Sequence, residues 1–197
     1  MNVEPLSLDG NFVRLEPLTL AHFDSLCAVG FDDSIWLWTT TQVKTPDDMQ
    51  RYIETALEEQ RRGVSLPFAT VEKTSGKIVG STRFGNIDRH NRRVEIGWTW
   101  INPRWQQSAI NTEAKFLMMR HAFETWRCVR VELKTDVLNE KSRAAILRLG
   151  ARQEGVLRRH QITDAGRFRD TVYFSIIDSE WNHVKDSLNE KLRSFQK

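Results

Sequence analysis

The sequence contains few of the residues from which common metal and cofactor sites are built. Its 197 residues include only two cysteines, Cys27 and Cys128, and these form no CxxC pair, which argues against a zinc cage or a disulfide framework. The five histidines are scattered without ligand spacing, so we expect no metal site. P-loop, GxSxG, HExxH and strand-linked GxGxxG motifs are also missing, which argues against the enzyme classes that depend on them.

Long hydrophobic runs are missing as well. No apolar stretch approaches the ~18 residues that a membrane-spanning helix needs. The N-terminal residues MNVEPLSL have neither the basic head nor the apolar run of a signal peptide. We therefore expect a protein of the reduced, cytoplasmic compartment without a membrane partner. The formal net charge of +3 mildly favours anionic partners.

The hydrophobic periodicity predicts an α/β (α+β) protein with a single mixed, mostly antiparallel sheet flanked by helices. No linker-like segment divides the chain, so we expect one domain over residues 1–197. The predicted strands are 11–18, 66–73, 77–84, 93–101, 129–137, 151–160 and 168–177. The predicted helices are 19–29, 45–63, one that starts near 108–111, 139–150 and an amphipathic C-terminal helix over 179–196. Whether this last helix packs on its own domain or pairs two chains stays open, so a monomer and a homodimer are both compatible with the sequence.

A glycine-free junction, PRWQQSAINTEAKFLMM over residues 103–119, joins a predicted strand to a predicted helix. The first amides of a helix lack intrahelical partners and carry about half a positive charge, so a helix N-terminus can bind phosphate without a charged side chain. The apolar stripe Phe116, Met119, Phe123 and Trp126 would dock this helix on the sheet. Because any strand–loop–helix unit has this outline, the junction is either a plain turn or an anion site.

The residues of this junction carry a family resemblance. Ile101, Pro103, Gln106, Ala109 and Asn111 stand where a pyrophosphate-binding signature has its apolar strand end, its proline and its Gln/Arg-x-x-Gly-x-Gly/Ala motif. The segments RLEPL, EIGWTWI, INTEAK, KTDVLNEKSRAAILRLGA and RDTVYFSI also match in order. The chain thus resembles the Gcn5-related N-acetyltransferase (GNAT) superfamily, most closely its ribosomal-protein N-terminal acetyltransferase-like (RimJ/RimL-like) branch, over about residues 10–182.

The resemblance implies a GNAT-like acyl-CoA N-acyltransferase fold. It also implies acetyl transfer from acetyl-CoA, a cosubstrate used without a metal, to an amine acceptor that is a small molecule or a peptide N-terminus. The positions that it assigns to the cofactor are Thr99, Ile101, Gln106, Gln107, Ser108, Ala109, Ile110, Asn111, Asn139, Ser142 and Arg143. Among these, backbone amide near Thr99 to Ile101 would hold the oxyanion.

Two positions in the loop depart from the family pattern. Ala109 stands where the family usually has glycine, and Gln107 stands at a second common glycine position. Glycine permits positive φ and close approach of the backbone to phosphate. If Ala109 must be left-handed, its methyl group costs about 1 kcal/mol, which would weaken cofactor binding by at most about tenfold. We expect the phosphate-binding site to be narrower than in other family members but still present.

Glu95 is the candidate general base. Strict alternation of residues 93–101 places it opposite the tryptophans and beside Gly97, in the middle of a strand. The resemblance adds that family members often use a glutamate on this strand. The alternative is a glutamate on a solvated face of the sheet, paired with an arginine such as Arg83.

Four further residues are candidates for binding the cofactor or assisting the departure of its sulfur. Asn139 is placed to cap the helix after strand 129–137, and the resemblance adds a contact between Asn139 and the pantetheine arm. It also implies that Ser142 hydrogen-bonds the sulfur and assists its departure. Tyr173 is a second candidate proton donor, with core packing as the alternative. Arg143 either reaches the coenzyme phosphates or is a solvated helix arginine.

The acceptor pocket is indicated only by aromatic residues. Trp36 and Trp38, in the segment IWLWTT, follow the first helix, where family members build this pocket. Each can wall the pocket or belong to the core. Nothing in the sequence names the acceptor or the acyl chain length.

Two other functions remain compatible with the sequence. The altered loop suits a non-catalytic acyl-CoA-binding or protein-interaction module that keeps the fold. The basic clusters RHNRR (89–93) and LRRH (157–160) suit a nucleic-acid-binding domain, although neither has the helical base-reading pattern that would favour this partner.

Overall fold

The computed structural model describes residues 1–196. Its strands are β1 (Leu8–Asp9), β2 (Val13–Pro17), β3 (Leu66–Glu72), β4 (Ile78–Asp88), β5 (Arg93–Ile101), β6 (Arg130–Asp136), β7 (Arg152–Ile162) and β8 (Phe168–Ile177). Its α-helices are α1 (Phe23–Gly30), α2 (Asp33–Trp36), α3 (Pro46–Arg61), α4 (Ala109–Arg120), α5 (Glu140–Arg148) and α6 (Trp181–Ser194). None of the helices in this described part is long and apolar enough to cross a membrane.

The strands form one sheet in the order β1-β2-β3-β4-β5-β6-β8-β7. Only β5 and β6 run parallel, and every other neighbouring pair is antiparallel. The mixed sheet flanked by helices that the sequence predicts is therefore confirmed. The structure adds the two-residue strand β1 and the single-turn helix α2, which are too short to produce a periodic sequence signal.

The helices cover the two faces of the sheet unequally. One core contains α4 and α6 and the residues of β2–β6 and β8 that point to them. The other, smaller core lies under α1, α2 and α3 and reaches only as far as Trp100 of β5. On this second face the part of the sheet built by β6 and β8 therefore carries polar side chains, among them Lys134, Asp136 and Tyr173.

Strand β5 does not alternate strictly, which corrects the prediction that Val94, Ile96, Trp98 and Trp100 share one face. Ser81 of β4 pairs with Trp100 while Arg83 pairs with Gly97, so the register shifts and β5 contains a bulge. Trp98 lies at the bulge with φ of +48°. The alternation changes sides there: Val94, Ile96 and Ile101 join the core of α4, whereas Trp100 joins the core of α1–α3.

The parallel strands β5 and β6 separate soon after they meet. Their pairing covers only Arg93–Glu95 against Arg130–Glu132. Beyond this point β5 continues along β4 to Ile101, and β6 continues along β8 to Asp136. The sheet therefore opens into a wedge at its centre, and Glu95 is the last paired residue of β5 at the closed end.

Candidate active site

The junction after β5 is a left-handed turn that leads directly into α4. Gln107 has φ of +58°, so this residue occupies the conformation that glycine favours. Ala109 is the first residue of α4 and is buried, so the condition for left-handed strain at Ala109 is not met, and Gln107 is the left-handed residue of the loop. The Gln106 side-chain amide donates to the Ile101 carbonyl at 2.9 Å and braces the turn.

The N-terminus of α4 leaves polar groups available behind this turn. The Ser108 hydroxyl accepts from the Ile110 amide at 3.3 Å and donates to the Trp105 carbonyl at 2.6 Å. This cap satisfies one of the first-turn amides, whereas the others have no intrahelical acceptor. The Asn111 Oδ1 atom is buried without a hydrogen-bond partner in the described residues. The helix start can therefore bind an anion through backbone amides.

Glu95 lies inside the molecule at the closed end of the wedge. Its residue is 2% exposed, and its carboxylate accepts from Asn86 Nδ2 at 2.7 Å and pairs with Lys134 Nζ at 2.9 Å. The solvated alternative is wrong, since Arg83 pairs with Glu59 instead. These two contacts fix the orientation of the carboxylate at the closed end of the wedge.

Tyr173 faces the same wedge from β8. It pairs with Lys134 across the strands, and the Lys134 ammonium lies 5.8 Å from the centre of its ring. The ring of His160 lies edge-on at 5.8 Å. No hydrogen bond within residues 1–196 involves the Tyr173 hydroxyl, so it is free to donate to a ligand. The ring is not part of either core.

The three candidates around α5 open the helix that follows β6. Asn139 Oδ1 accepts from the Ser142 amide at 3.0 Å, so the predicted cap is confirmed. The Arg143 guanidinium donates to the Val137 carbonyl at 3.2 Å and is partly buried rather than freely solvated. The Ser142 hydroxyl makes no hydrogen bond to any described residue. Contact of Asn139 or Arg143 with a cofactor stays a prediction.

Of the two predicted pocket tryptophans, Trp36 lies in the core and Trp38 lies near the wedge. Trp36 is 3% exposed, packs 5.4 Å from Trp100 and donates to the Gly30 carbonyl. The Trp38 ring instead lies 5.6 Å under the Arg167 guanidinium. The Asp164 amide donates to the Thr40 carbonyl at 2.9 Å. The segment after α2 therefore reaches across to the β7–β8 turn and leaves only Trp38 as a candidate pocket wall.

The sequence did not single out Lys115, which lies directly behind the bulge. The Lys115 ammonium is 5% exposed and donates to the hydroxyls of Thr82 and Thr99. Burial lowers the pKa of Lys115 to about 7, while the charge of Glu95 opposes the shift. Its position between Ala114 and Phe116, in a helix that is apolar on several sides, was the available signal.

A second concave region lies away from the wedge. A groove of about 800 Å³ runs between α4, α6 and the segment around Gly10. Several of its charged groups already have partners, since Lys185 pairs with Glu124, and Glu113 accepts from the backbone amides of residues 11–13. The wedge, by contrast, brings together Glu95 and Tyr173, two of the residues that the sequence assigns to the reaction, so the wedge is the candidate active site.

The predicted basic clusters do not form one surface. Arg93 begins β5, next to Arg130 and the end of β8. Leu157, which begins the second cluster, lies opposite Thr171 of β8. Thr171 is six residues away from Ile177, the β8 residue that pairs with Arg130. Arg93 also pairs with Asp88 and Glu132, so its charge is locally neutralised. Within residues 1–196 no group of His, Cys, Asp and Glu residues is arranged to hold a metal ion.

Comparison with known proteins identifies the family of this chain. The family model for the acetyltransferase (GNAT) domain matches residues 13–152. The chain belongs to the GNAT family of acetyltransferases. It is 32% identical, over 72% of its own length and 78% of the relative's, to the candidate ribosomal N-acetyltransferase YdaF of Bacillus subtilis (strain 168).

Solved structures place this GNAT chain among the N-acetyltransferases. It matches a GCN5-related N-acetyltransferase from Brucella melitensis with a TM-score of 0.88 and 33% identity, over 96% of this chain and 86% of that one. RimL, a ribosomal L7/L12 α-N-protein acetyltransferase, matches with a TM-score of 0.78 over 88% of this chain and 94% of that one. Its identity is 17%, so this second likeness concerns the fold.

Proposed function

We propose that this GNAT protein transfers an acetyl group from acetyl-CoA to a primary amine by direct attack of the amine on the thioester. The observation that carries the proposal is the wedge between β5 and β6, with the buried carboxylate of Glu95 at its closed end. At neutral pH a lysine-like amine is almost entirely protonated, because its pKa is near ~10.4, whereas an α-amino group near ~7.7–8.0 is partly free. Glu95 would accept the proton that the amine must lose, directly or through a water molecule.

The residues around the bulge and the turn fit the coenzyme. Acetyl-CoA supplies the activated acetyl thioester. The left-handed turn at Gln107 and the amides that begin α4 would bind its diphosphate. The β5 backbone beyond Glu95 has no partner in β6, so its outward amides near Thr99 to Ile101 are available for an amide-type chain and for the developing oxyanion.

Two hydroxyl groups would protonate or solvate the departing thiolate. A thiol with a pKa near ~8.5 is a modest leaving group, so one hydrogen bond is enough to affect the rate. The hydroxyls of Ser142 and Tyr173 both lack partners in the described chain, and each is a candidate donor. Comparing Ser142→Ala with Tyr173→Phe identifies the donor, because only its loss lowers kcat while coenzyme binding persists.

The acceptor is proposed to be a peptide N-terminus or a small amine. The name of the Bacillus subtilis relative, which specifies ribosomal N-acetylation, favours the peptide. The Trp38 ring, which lies against the Arg167 guanidinium, would form one wall of the acceptor pocket. The cytoplasmic location stays a prediction that rests on the sequence.

Glu95→Gln tests the proposal. We expect kcat for amine acetylation, followed by thiol release, to fall about 10²-fold or more, while calorimetry shows unchanged binding of coenzyme A. Glu132→Gln is the matched control, since Glu132 is the paired neighbour of Glu95 on β6 and bonds to Arg93 and Arg130 instead. Full activity of Glu95→Gln would contradict the proposal. So would the absence of detectable binding of coenzyme A to the wild type at millimolar concentration.

The alternative function is a non-catalytic acyl-CoA-binding or interaction module. Its motivation was the glycine-poor loop, but Gln107 adopts the glycine-like turn and Ala109 is helical. The loop therefore gives no reason to prefer the module over the enzyme. Normal folding and coenzyme binding, with no thiol release across a broad amine panel, would favour it.

A further inference from the structure

On the face of the sheet where β6 and β8 carry polar side chains, the charged groups beside the wedge leave one positive charge without a partner. Glu95 is paired with Lys134 at 2.9 Å, and the fully buried Asp136 is paired with Arg167. Arg169 lies on the same face, two residues before Thr171, which is opposite Asp136. Two ion pairs are complete, and the guanidinium of Arg169 is left over.

Arg169 is buried and makes no polar contact in the described chain. The residue is 7% exposed, no hydrogen bond or ion pair within residues 1–196 involves its guanidinium, and its Nε atom is buried without an acceptor. The hydroxyl of Thr171 next to it is also buried and unpartnered. Partial burial of a guanidinium without a counter-ion costs free energy, because the charge loses hydration at Nε and gains no partner there.

The electrostatic surroundings of Arg169 agree with the lack of a counter-ion. Burial lowers the pKa of Arg169, although the carboxylates of Asp136 and Glu95 act in the opposite direction. The two carboxylates are close enough to influence the guanidinium but are already bound to Lys134 and Arg167. An additional anion at Arg169 would therefore complete the charge balance of the wedge.

Gln161 offers the only competing explanation that we find. It faces Arg169 across the β7–β8 pair, and its Oε1 atom is also buried without a donor. A side-chain rotation would let Gln161 accept from Arg169. The amide is neutral, however, so this bond would satisfy a donor and leave the buried charge uncompensated.

We propose that Arg169 binds a carboxylate of the acceptor, so that the substrate of this enzyme is an amine that carries a carboxylate on the same scaffold. The inference rests on the acetyl transfer proposed above. Arg169 lies four residues from Tyr173 along β8, which corresponds to about 13 Å between their Cα atoms. The amine and the carboxylate are therefore separate ends of the acceptor, as in a peptide with an acidic residue shortly after its N-terminus or in a longer amino acid.

Matched acceptors test this assignment by binding, independently of turnover. With coenzyme A present, calorimetry would compare a tetrapeptide that begins Ser-Asp with one that begins Ser-Asn, and a straight-chain amino acid with its amide. We expect the wild type to bind one of the carboxylates at least about tenfold tighter than its amide, the size of one charge-assisted hydrogen bond. The pair that shows the preference tells a peptide from a small amine.

Variants connect the preference to Arg169. Arg169→Gln should remove the preference and leave amide binding unchanged, and Arg169→Lys should restore part of it. Arg158→Gln is the control, because Arg158 is an exposed arginine on β7 whose loss changes the net charge equally. If Arg169→Gln does not fold, the ratio of carboxylate to amide affinity is measured in Arg169→Lys and in Thr171→Val instead.

Three results would overturn the inference. They are equal affinity of the wild type for both members of each pair, equal weakening of carboxylate and amide by Arg169→Gln, and no binding of any probe at millimolar concentration. Failure of the proposed function gives a different result, since a protein that binds carboxylates through Arg169 but never releases thiol would retain the site and not the reaction.

Discussion

Lys115 brings an ionisable group into the core of α4, and its protonation should make the stability of the fold depend on pH. The ammonium is almost completely buried, and its hydrogen bonds go to the hydroxyls of Thr82 and Thr99. Those two hydroxyls also contact each other at 2.7 Å. Lys115→Met would therefore remove the titrating group, keep the volume of the side chain and leave the hydroxyl pair bonded.

The size of the effect follows from proton linkage. The pKa of Lys115 is lowered from 10.5 to about 7 in the folded protein. Between these two values the unfolded chain holds a proton that the folded chain has released, so the free energy of unfolding rises with pH by about 1.4 kcal/mol per unit. Below pH 7 both states are protonated and the contribution is flat. From pH 6 to pH 9 the wild type should gain about 3 kcal/mol from this group.

Urea unfolding at pH 6 and pH 9 measures this gain. A difference of about 3 kcal/mol is a large share of the 5–15 kcal/mol typical of a domain, so it is readily resolved. Other groups titrate in the same way in wild type and variant and cancel from the comparison. The gain should vanish in Lys115→Met and persist in Lys141→Met, which removes an exposed lysine of α5. An equal pH dependence in wild type and Lys115→Met would refute the reasoning.

Three further predictions concern the loop, the N-terminal segment and the thiols. Gln107→Gly should unfold at a free energy about 1 kcal/mol above Gln107→Ala, because only glycine relieves the left-handed strain, and equal urea midpoints would contradict this. Glu113→Ala leaves three backbone amides without their acceptor, so calorimetry should show a loss of about 3 kcal/mol, and an unchanged Tm would count against the cap. Burial raises the pKa of Cys128 to about 11, so iodoacetamide at pH 8 should label only Cys27 until denaturant is added. Equal labelling of both thiols in the folded protein would show that Cys128 is accessible.

The sequence was sufficient where the signal is local. The predicted strands 93–101 and 168–177 match β5 and β8 at both ends, because apolar residues on alternate positions are bounded by turn residues. The capped start of α3 was also predictable from the sequence, since Thr45 accepts from the Asp48 amide and Pro46 is the first helical residue. These features depend on residues within one or two turns of each other.

The bulge in β5 could not be predicted from the sequence of β5, because its cause lies on another strand. The Trp98 ring occupies the space above Gly85 of β4, where an added Cβ would lie 2.2 Å from the ring. Trp98 and Trp100 are the same residue type two positions apart, so the sequence of β5 alone gives no reason to place them differently. Only the pairing with β4 shows that a side chain is missing where one of them must pack.

The charge pairs of the site were also beyond the sequence. The alternative interpretation of Glu95 paired it with an arginine such as Arg83 of the neighbouring antiparallel strand, but its partner Lys134 comes from the parallel strand β6. The choice depends on the face to which each side chain points, and the bulge had not been predicted. The burial of Lys115 was easier to anticipate from the sequence, because Lys115 lies between Ala114 and Phe116 in a largely apolar part of α4.

The bulge and the wedge act together to build the site. A shift of one residue exchanges the two faces of a strand. In β5 it turns Thr99 toward Lys115 of α4 and turns Trp98 toward Lys134, whose ammonium lies 5.7 Å from the Trp98 ring. Without the shift, a tryptophan ring would face Lys115, and Thr99 would face the wedge beside Glu95. The extra residue therefore lets one strand anchor α4 with a hydroxyl and, from its other face, line the wedge with an aromatic ring just where β6 moves away.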